Sequence, residues 1–482
     1  MRVLQVSAEI FPLLKTGGLA DVAGALPGAL AAVGCDVRVL LPGFAPILAD
    51  LCTPTVLAEL TAPWGEILVL RQGRLASLNV WAYVIDAPAL YARPGSPYED
   101  AQRHPYTDND RRFALLGWVA SRLASGLDAA WRPRVVHAHD WHAALTCAYM
   151  AFLPPQRERV ACVYTVHNLA YQGLFAPRHF FELGLPAAAF AMDGLEFHGQ
   201  MSFMKAGLFY ADHITTVSPS YAREIRTPEQ GCGLDGLLRT RADDLTGILN
   251  GVDEAIWDPA HDPVIAAPFE AANPAGKACC KAALQQELGL VVQADAPLFG
   301  IVSRLTEQKG LHLVLAVLDE LLARGGQLVV LGAGDAALEL AFAERAAASP
   351  FSIAVRVGYD ESYAHQIFAA TDVTLVPSRF EPCGLTQMYG LKYGSLPLVH
   401  RVGGLADTVV DCSLEDLAEE TANGFVFEHF DSHALSRALA RAFALYALPA
   451  QWRLVQERAM HQNLGWPRAA AQYLALYQRL CH

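Results

Sequence analysis

Short apolar runs alternate with helix-length segments along almost the whole chain of 482 residues, and this alternation is the strongest constraint on its fold. Most runs are apolar throughout and rich in β-branched residues, a pattern typical of parallel strands buried on both faces. The intervening segments, such as 311–324 and 336–348, have helical length and periodicity. Repeated βα units predict a doubly wound α/β fold. The predicted strands are Val3–Val6, Val37–Leu41, Val80–Ile85, Val135–Ala138, Val160–Val166, His213–Val217, Leu298–Val302, Gln327–Leu331, Ile353–Val357, Val373–Val376 and Leu396–Val399.

One long break in the alternation divides the chain. It runs from Asn250-Gly251 to about residue 296 and contains four prolines but no clear strand or helix pattern. A chain of this length is also too long for a single core. We therefore predict two Rossmann-like domains, residues 1–250 and 251–455, facing a central cleft in which ligands bind at the carboxyl ends of the strands. Residues 456–482 are predicted to form a C-terminal helix that returns to the first domain.

Composition narrows the class of partner. The net charge is −13 and there is no polybasic run, so we expect neither nucleic acid nor a membrane as a partner. No segment is apolar for long enough to span a bilayer, and the first residues do not have a signal-peptide pattern. The ten cysteines include no Cys-x-x-Cys pair, which predicts a reducing, cytoplasmic location. A phosphorylated ligand would then be bound by a few individual lysine or arginine side chains and not by a positively charged surface.

Two Gly-Gly-Leu-Ala-Asp sequences each follow a predicted strand and open a predicted helix. The first is Gly17–Asp21, preceded by Lys15, and the second is Gly403–Asp407. Glycine lets the backbone approach a ligand, a helix N-terminus favours an anion, and the lysine adds a full positive charge. Such turns also occur for packing reasons alone. Both sequences are therefore candidate phosphate-binding sites, and close packing of the backbone is the alternative explanation for their glycines.

Charged residues follow two strands of the predicted second domain. Arg304 and Lys309 come after the strand 298–302, where both could face a diphosphate; surface cations near a turn are the alternative. Glu381 follows the strand 373–376 and could hold sugar hydroxyls or offset positive charge at an anomeric carbon. The backbone N–H groups after it could bind phosphate oxygens. The alternative is an acid that only complements a helix dipole.

Histidines cluster after one strand of the predicted first domain, in the segment His137–His142. They could suggest a metal, but they lie across a strand end and a turn without a second cluster, so we predict no metal. Contact with a sugar is favoured, with Asp140 as a hydrogen-bond acceptor and Trp141 as an apolar surface. His167 lies at the same predicted edge, with a structural histidine as the alternative. Asp108–Asp110 superficially matches a metal-dependent transferase signature but is better interpreted as a helix cap.

Taken together, seven ordered motifs resemble those of the bacterial glycogen synthases and plant starch synthases. The resemblance extends from the first strand to about residue 466 and implies a two-domain GT-B fold. It also implies transfer of glucose from ADP-glucose to the non-reducing end of an α-1,4-glucan such as glycogen, with retention of configuration and without a metal or cofactor. The motifs are Lys15–Asp21, His137–His142, Thr165–Leu169, Leu249–Asp253, Arg304 with Lys309-Gly310, Pro377–Gly384 and Gly403–Thr408.

The resemblance implies roles for individual residues. Tyr359 would stack on adenine, His167 would face the transferred glucose, and the first domain would lie on the acceptor side. Many related transferases have a second glutamate where Tyr389 stands here, an absence that the starch and glycogen synthases share. Catalytic roles are implied for Asp140, His167, Arg304, Lys309 and Glu381. Donor binding is implied for Lys15, Gly18, Asp21, Asn250, Tyr359, Cys383, Gly384 and Leu385.

Several alternatives remain open at this point. A UDP-glucose-dependent transferase of the same fold would carry similar motifs, and a non-catalytic sugar-binding protein could share the architecture. The route of transfer is open as well. Retaining hydrolases use a carboxylate nucleophile, whereas no residue of this chain clearly supplies one, which favours attack on the face that the leaving group vacates.

Overall fold

The computed structural model describes residues 1–154 and 158–481, and the chain divides into two compact units. The first unit comprises Met1–Gly251 and Trp466–His482, and the second comprises Val252–Gly465. The first boundary lies one residue beyond the expected position. Residues 456–465, which we expected to leave with the C-terminal helix, stay in the second unit, because the helix Pro449–Met460 packs Trp452 against Phe425 and Tyr446.

A nine-stranded sheet forms the centre of the first unit within the described part of the chain. The strands of this unit are β1 (Arg2–Val6), β2 (Asp36–Pro42), β3 (Leu51–Thr61), β4 (Ile67–Leu75), β5 (Val80–Asp86), β6 (Val135–His139), β7 (Ala161–Val166), β8 (Leu174–Phe175), β9 (Glu196–Phe197), β10 (Gln200–Ser202), β11 (His213–Thr216) and β12 (Leu245–Gly247). Of these, β8, β10 and β9 form a separate small sheet. The large sheet has the order β12-β11-β7-β6-β1-β2-β5-β4-β3, and only the β3–β4 and β4–β5 pairs are antiparallel. Without the β3–β4 hairpin and the edge strand β12, the order β5-β2-β1-β6-β7-β11 reproduces the Rossmann order 3-2-1-4-5-6.

The β3–β4 hairpin was not predicted from the sequence. Most residues of β3 are exposed or only partly buried, and the strand contains Pro54. A strand at the edge of a sheet faces water along much of its length, so it lacks the continuous apolar run by which the buried parallel strands were recognised.

Helices flank the first sheet, and the C-terminal helix returns to it. The helices of the first unit before the boundary are α1 (Gly18–Ala32), α2 (Ala45–Asp50), α3 (Pro88–Tyr91), α4 (Asn109–Ala124), α5 (Asp140–Ala143), α6 (Leu145–Ala151), α7 (Phe203–Tyr210), α8 (Pro219–Glu224) and α9 (Asp235–Thr240). The chain's last helix, Trp466–Leu480, buries Tyr473 and Tyr477 in a core with Val3 and Leu26. A Cβ at Gly251 would lie 2.5 Å from the backbone of Trp466, so this close approach requires glycine.

The second unit is built on a parallel sheet of six strands among the residues described. The strands are β13 (Leu298–Val302), β14 (Gln327–Gly332), β15 (Ile353–Val357), β16 (Val373–Val376), β17 (Leu396–His400) and β18 (Phe425–Phe427). The order β15-β14-β13-β16-β17-β18 is again 3-2-1-4-5-6, so a switch point lies between β13 and β16. The remaining helices are α10 (Ala275–Glu287), α11 (Leu311–Ala323), α12 (Ala336–Ala348), α13 (Glu361–Ala370), α14 (Thr386–Lys392), α15 (Gly403–Thr408), α16 (Leu414–Ala418), α17 (Ser432–Tyr446), α18 (Pro449–Met460) and the C-terminal α19 (Trp466–Leu480).

Several strands and one long helix agree in their bounds with the sequence pattern. The predicted strands 298–302, 353–357 and 373–376 have the observed bounds, as does the helix 336–348. Among the described residues, no helix combines the length and the apolar character that crossing a membrane requires.

Candidate active site

Two loops meet at the switch point of the second unit, one after β13 and one after β16. Gly310 has a left-handed φ of +67°, and a Cβ there would lie 2.0 Å from the carbonyl oxygen of Pro377. The backbone N–H of Arg379 donates to the carbonyl of Gln308 at 2.8 Å. The two loops are therefore held side by side by backbone contacts, and their side chains share one site.

This contact brings together two of the predicted residues. Lys309 Nζ donates to Glu381 Oε2 at 2.6 Å, and Ser378 Oγ donates to the same oxygen at 2.8 Å. Glu381 is 6% exposed, so its carboxylate is held in a largely desolvated position. Because α14 begins only at Thr386, Glu381 is not simply an acid of the first helical turn. Arg304 lies on the same loop as Lys309 and is exposed.

The second Gly-Gly sequence packs against the backbone of the loop that carries Glu381. A Cβ on Gly403 would lie 2.0 Å from the carbonyl oxygen of Glu381, and a Cβ on Gly404 would lie 2.0 Å from that of Cys383. The Gly404 N–H donates to the Glu381 carbonyl at 3.1 Å. Close packing, the alternative left open by the sequence, therefore explains both glycines.

The turn after Glu381 is fixed by a glutamine. Gly384 has a left-handed φ of +70°, and the Gln387 side-chain amide donates to the carbonyls of Cys383 at 3.0 Å and Gly384 at 2.8 Å. Leu385 then precedes α14. These bonds set the backbone on which Gly384 and Leu385 present their N–H groups. Tyr359, by contrast, lies beyond the carboxyl end of β15 with 66% of its surface exposed.

In the first unit, the first Gly-Gly sequence leads from β1 into α1, which begins at Gly18. Lys15 Nζ lies 2.8 Å from Asp21 Oδ1, so two of the predicted donor-binding residues form an ion pair. Both side chains are about four-fifths buried, at 20% and 18% exposure. The lysine is therefore positioned at the start of the helix.

Two residues that the sequence analysis missed hold this loop in place. Glu9 is 2% exposed and accepts hydrogen bonds from the Thr16 backbone N–H at 2.6 Å and from the Tyr98 hydroxyl. A lone carboxylate three residues beyond a buried strand was the available signal for Glu9. No local pattern marks Tyr98, because it comes from a distant segment.

Asp140 has unusual geometry and an unusual environment. Its φ of +59° is uncommon for a residue other than glycine, and such strain is concentrated at functional sites. Burial raises the pKa of its carboxyl to about 8, although N–H groups of Trp141, Asn168 and His167 lower it in part. The Oδ1 atom has no hydrogen-bond partner among the described residues. A protonated carboxyl near neutral pH could both donate to and accept from a ligand hydroxyl.

The neighbouring histidines bond to one another and to the core. His137 lies 2.7 Å from the Tyr477 hydroxyl through Nδ1 and 2.5 Å from Thr165 Oγ1 through Nε2. His139 Nδ1 lies 3.0 Å from His167 Nε2. His137 is thus a core histidine, whereas His167 ends the chain of contacts. No group of residues suited to a metal ion occurs in the described part of the chain.

Four further residues complete the first-unit site or flank it. His142 stacks on Tyr98 with ring centres 4.6 Å apart and is buried, whereas Trp141 is only partly buried. Asn250 is 6% exposed, and its Oδ1 atom has no partner among the residues described. Asp108 occupies the N-cap position of α4 as expected, but its carboxylate makes no capping bond and instead pairs with Arg93 at 2.7 Å.

These buried histidines predict that the protein loses stability in acid. Burial lowers the pKa of His137 and His167 to about 3 and that of His213 to about 4. Between those values and about 6.5 the unfolded chain binds more protons, so the free energy of unfolding should fall by up to about 1.4 kcal/mol per pH unit for each histidine. Asp140 acts in the opposite direction between pH 3.8 and about 8, but it is a single group.

Urea unfolding at pH 7 and pH 5 measures this effect. The midpoint should be lower at pH 5, and His213→Gln should reduce the difference. His261→Gln, which alters a side chain with 85% exposure, is the matched control. Midpoints that do not change between the two pH values would contradict this interpretation.

Comparison with known proteins places this geometry in a family. Residues 2–240 match the starch synthase catalytic domain, and residues 289–454 match glycosyl transferases group 1. A glycogen synthase of Variovorax paradoxus is 63% identical over 491 residues and covers 99% of each chain. The chain belongs to the glycogen synthase family. A second relative, the glycogen synthase of Leptothrix cholodnii, is 58% identical to this chain over the full length of both.

Solved structures agree with this family assignment. The catalytic domain of starch synthase IV from Arabidopsis thaliana, bound to ADP and acarbose, superposes with a TM-score of 0.90 at 31% identity, covering 100% of this chain and 99% of that one. A sucrose-phosphate synthase from Thermosynechococcus elongatus, at 18% identity and a TM-score of 0.61, shares the fold. The predicted two-domain GT-B fold, the glycogen synthase family and the class of glycosyltransferase enzyme are therefore confirmed.

Each of the two units carries part of the predicted set of site residues. The first unit carries Lys15, Gly18, Asp21, Asp140, His167 and Asn250. The second unit carries Arg304, Lys309, Tyr359, Glu381, Cys383, Gly384 and Leu385. In each unit they lie on loops or near the starts of helices that follow the carboxyl ends of parallel strands, where ligands bind in open α/β sheets.

Proposed function

We propose that this glycogen synthase family member transfers glucose from ADP-glucose to the non-reducing end of an α-1,4-glucan with retention of configuration. The observation that carries the proposal is the Lys309–Glu381 pair at the switch point of a chain with 63% identity to a glycogen synthase. The ADP bound in the Arabidopsis starch synthase neighbour supports an adenine nucleotide. The protein would act in the cytoplasm, without a metal or cofactor.

In this proposal the cations hold the diphosphate of the donor. Arg304 offers a planar fork for phosphate oxygens, and Lys309 offers a point charge. As the glycosidic bond breaks, negative charge grows on the β-phosphate, and fixed cations stabilise that charge most in a site without water. Lys15 binds donor phosphate from the start of α1, with the N–H groups near Gly18, and Asp21 orients the lysine. Gly384 and Leu385, following Cys383, add backbone N–H groups.

Polar side chains bind the sugar and the base. Glu381 holds sugar hydroxyls and stabilises an oxocarbenium-like glucose through its charge. His167 faces the transferred glucose, and Tyr359 stacks on adenine. Asp140 binds hydroxyls of glucose or of the acceptor through its unpartnered oxygen, and Asn250 contacts the donor through its own. Each of these five roles is carried over from the family motif to the matching residue.

The transfer proceeds on the face from which ADP leaves. The acceptor 4-hydroxyl attacks the anomeric carbon while its proton passes to a phosphate oxygen of the leaving group. One Glu381 oxygen is bonded to Lys309 and Ser378, which suits a fixed counter-charge better than a nucleophile. Retention then requires no covalent glucosyl-enzyme.

The linkage of the product tests the proposed function. Incubation with glycogen and ADP-glucose should extend the outer chains with residues that β-amylase releases and whose anomeric proton signal is that of an α-1,4 bond. Binding of glycogen without chain extension would favour a non-catalytic sugar-binding protein. New β linkages would rule out retention.

Lys15→Gln should weaken use of the donor mainly through its affinity. The amide keeps most of the length of the side chain but removes a charge that contacts phosphate in the ground state as well as in the transition state. Loss of such uniform binding raises KM and leaves kcat nearly unchanged. We expect KM for ADP-glucose to rise about tenfold, on the scale of one charge-assisted hydrogen bond.

Initial rates over a range of ADP-glucose concentrations measure both constants. Lys392→Gln is the matched control, because Lys392 pairs with Glu254 and lies outside the proposed site. A folded Lys15→Gln protein with the parental KM would remove Lys15 from the donor site.

A further inference from the structure

A continuous chain of buried polar groups connects the C-terminal helix to His167. Gln5 on β1 lies at its centre. The Gln5 amide nitrogen is 3.3 Å from both the Tyr477 hydroxyl and His137 Nδ1, and the amide oxygen accepts from His139 Nε2. His139 Nδ1 in turn lies 3.0 Å from His167 Nε2. Apart from His167, at 9% exposure, these residues are at most 3% exposed.

Each imidazole in this chain is neutral and carries one proton. Burial lowers the pKa of His137 and His167 to about 3 and that of His139 well below its ordinary value. A neutral imidazole has one nitrogen that donates and one that accepts. Once one nitrogen in the chain is assigned, the bonds fix the rest.

The orientation of the Gln5 amide makes that first assignment. Because its oxygen faces His139, the proton of His139 lies on Nε2, and Nδ1 must accept. His167 therefore donates its Nε2 proton to His139, which leaves His167 Nδ1 without a proton. On the other side, the Tyr477 hydroxyl accepts from the Gln5 amide and donates to His137 Nδ1, so every group has a partner of the opposite kind.

We propose that Gln5 and Tyr477 are positioning residues that fix His167 in the Nε2–H tautomer, so that its Nδ1 accepts a hydrogen bond from a hydroxyl of the donor sugar. Nδ1 forms no hydrogen bond with any described residue, and His167 follows the carboxyl end of β7, at the ligand-binding edge of the sheet. Because His167 is neutral, it also places no positive charge beside the positive charge that develops on the sugar. The proposal rests on the proposed function only in assigning the hydroxyl to the donor.

The tautomers can be observed directly in the full-length protein without substrate. Two-bond proton–nitrogen correlation spectra of ¹⁵N-histidine-labelled protein, assigned with single histidine variants, distinguish Nε2–H from Nδ1–H rings. His139 and His167 should both be Nε2–H. An Nδ1–H ring at His167 in the parental protein would overturn the proposal, and this result does not depend on any variant of Gln5.

Gln5→Met should reverse the tautomer. Methionine keeps the length of the side chain but offers His139 Nε2–H only a weak thioether acceptor, and a buried donor without a good partner is costly. The proton should then move to His139 Nδ1, and His167 should become Nδ1–H. Gln5→Glu, which keeps an acceptor facing His139, should retain the parental tautomer. Tyr477→Phe removes one of the two groups that orient the amide and should give a mixture.

Kinetics with deoxy donors separate positioning from a general loss of structure. With ADP-glucose, Gln5→Met should lower kcat about tenfold, on the scale of one lost hydrogen bond. A set of ADP-glucose analogues, each lacking one sugar hydroxyl, is then compared. With the analogue that lacks the hydroxyl bound by His167, the parental and variant enzymes should have equal kcat values. Tyr149→Phe, which removes a buried hydroxyl bonded to the Leu183 carbonyl, is the matched control and should change neither readout.

The failure of this proposal and that of the proposed function are distinguishable. Equal tautomers and equal kcat values in the parental and Gln5→Met proteins would overturn the positioning role even if ADP-glucose is the donor. If ADP-glucose is not used but His167 is Nε2–H and reverses in Gln5→Met, the proposed function fails while the tautomer control stands.

Discussion

Glu381→Gln should lower kcat by about 100-fold while changing the KM for ADP-glucose by less than about threefold. The substitution keeps the shape of the side chain and removes its charge. The carboxylate faces little positive charge from the sugar in the ground state, but it faces an oxocarbenium-like carbon in the transition state. An interaction that strengthens only in the transition state affects kcat and not binding.

Glu381→Ala should lower kcat further, because hydrogen bonds to sugar hydroxyls are lost together with the charge. Glu428→Gln is the matched control, since Glu428 is an exposed glutamate paired with Arg401 in the same unit. Mass spectrometry of a reaction quenched without acceptor adds a second test. A glucosyl ester trapped on Glu381 would contradict a direct transfer on the face from which ADP leaves.

Arg304→Ala and Lys309→Ala should each cost about 2–4 kcal/mol of transition-state stabilisation, the scale for one preorganised group that stabilises charge. This corresponds to a fall in kcat of about 30- to 1000-fold. The two variants should differ in stability. Lys309→Ala leaves Glu381, at 8% side-chain exposure, without its ion-pair partner and should lower the free energy of unfolding. Arg304 is exposed, so its replacement should not.

Rates at saturating ADP-glucose and urea unfolding curves measure the two effects in parallel. Arg324→Ala serves as the control, because Arg324 is a partly exposed arginine directly after α11 that pairs with Glu320 of that helix. If both single variants keep near-parental kcat values, the two cations do not stabilise the leaving group.

The sequence predicted the parts of the fold that follow from burial on both faces. The strands β13 and β16 are short apolar runs that are buried along most of their length, and their bounds were recognised from that pattern alone. The hairpin β3–β4 was missed because most residues of its edge strand β3 are exposed or only partly buried. The fold class therefore follows from hydrophobic patterning, whereas a largely exposed edge strand such as β3 does not produce the same signal.

The contacts within the site were less predictable than its residues. Lys309 and Glu381 were both selected from the sequence, but no local pattern indicates that residues 72 positions apart form an ion pair. Gln5 lies inside an apolar strand and bonds to Tyr477, 472 positions away, so neither residue had a motif that pointed to it. Long-range hydrogen bonds depend on tertiary packing, which a motif of a few residues does not encode.

We propose that this member of the glycogen synthase family uses ADP-glucose as its donor. A single reaction that contains glycogen, ADP-[¹⁴C]glucose and UDP-[³H]glucose at equal concentrations tests it most directly, because both donors compete for the same enzyme. We expect precipitated glycogen to carry ¹⁴C in large excess over ³H, and Lys309→Ala to abolish most of this incorporation. Glycogen labelled chiefly with ³H, or with neither isotope, would contradict it.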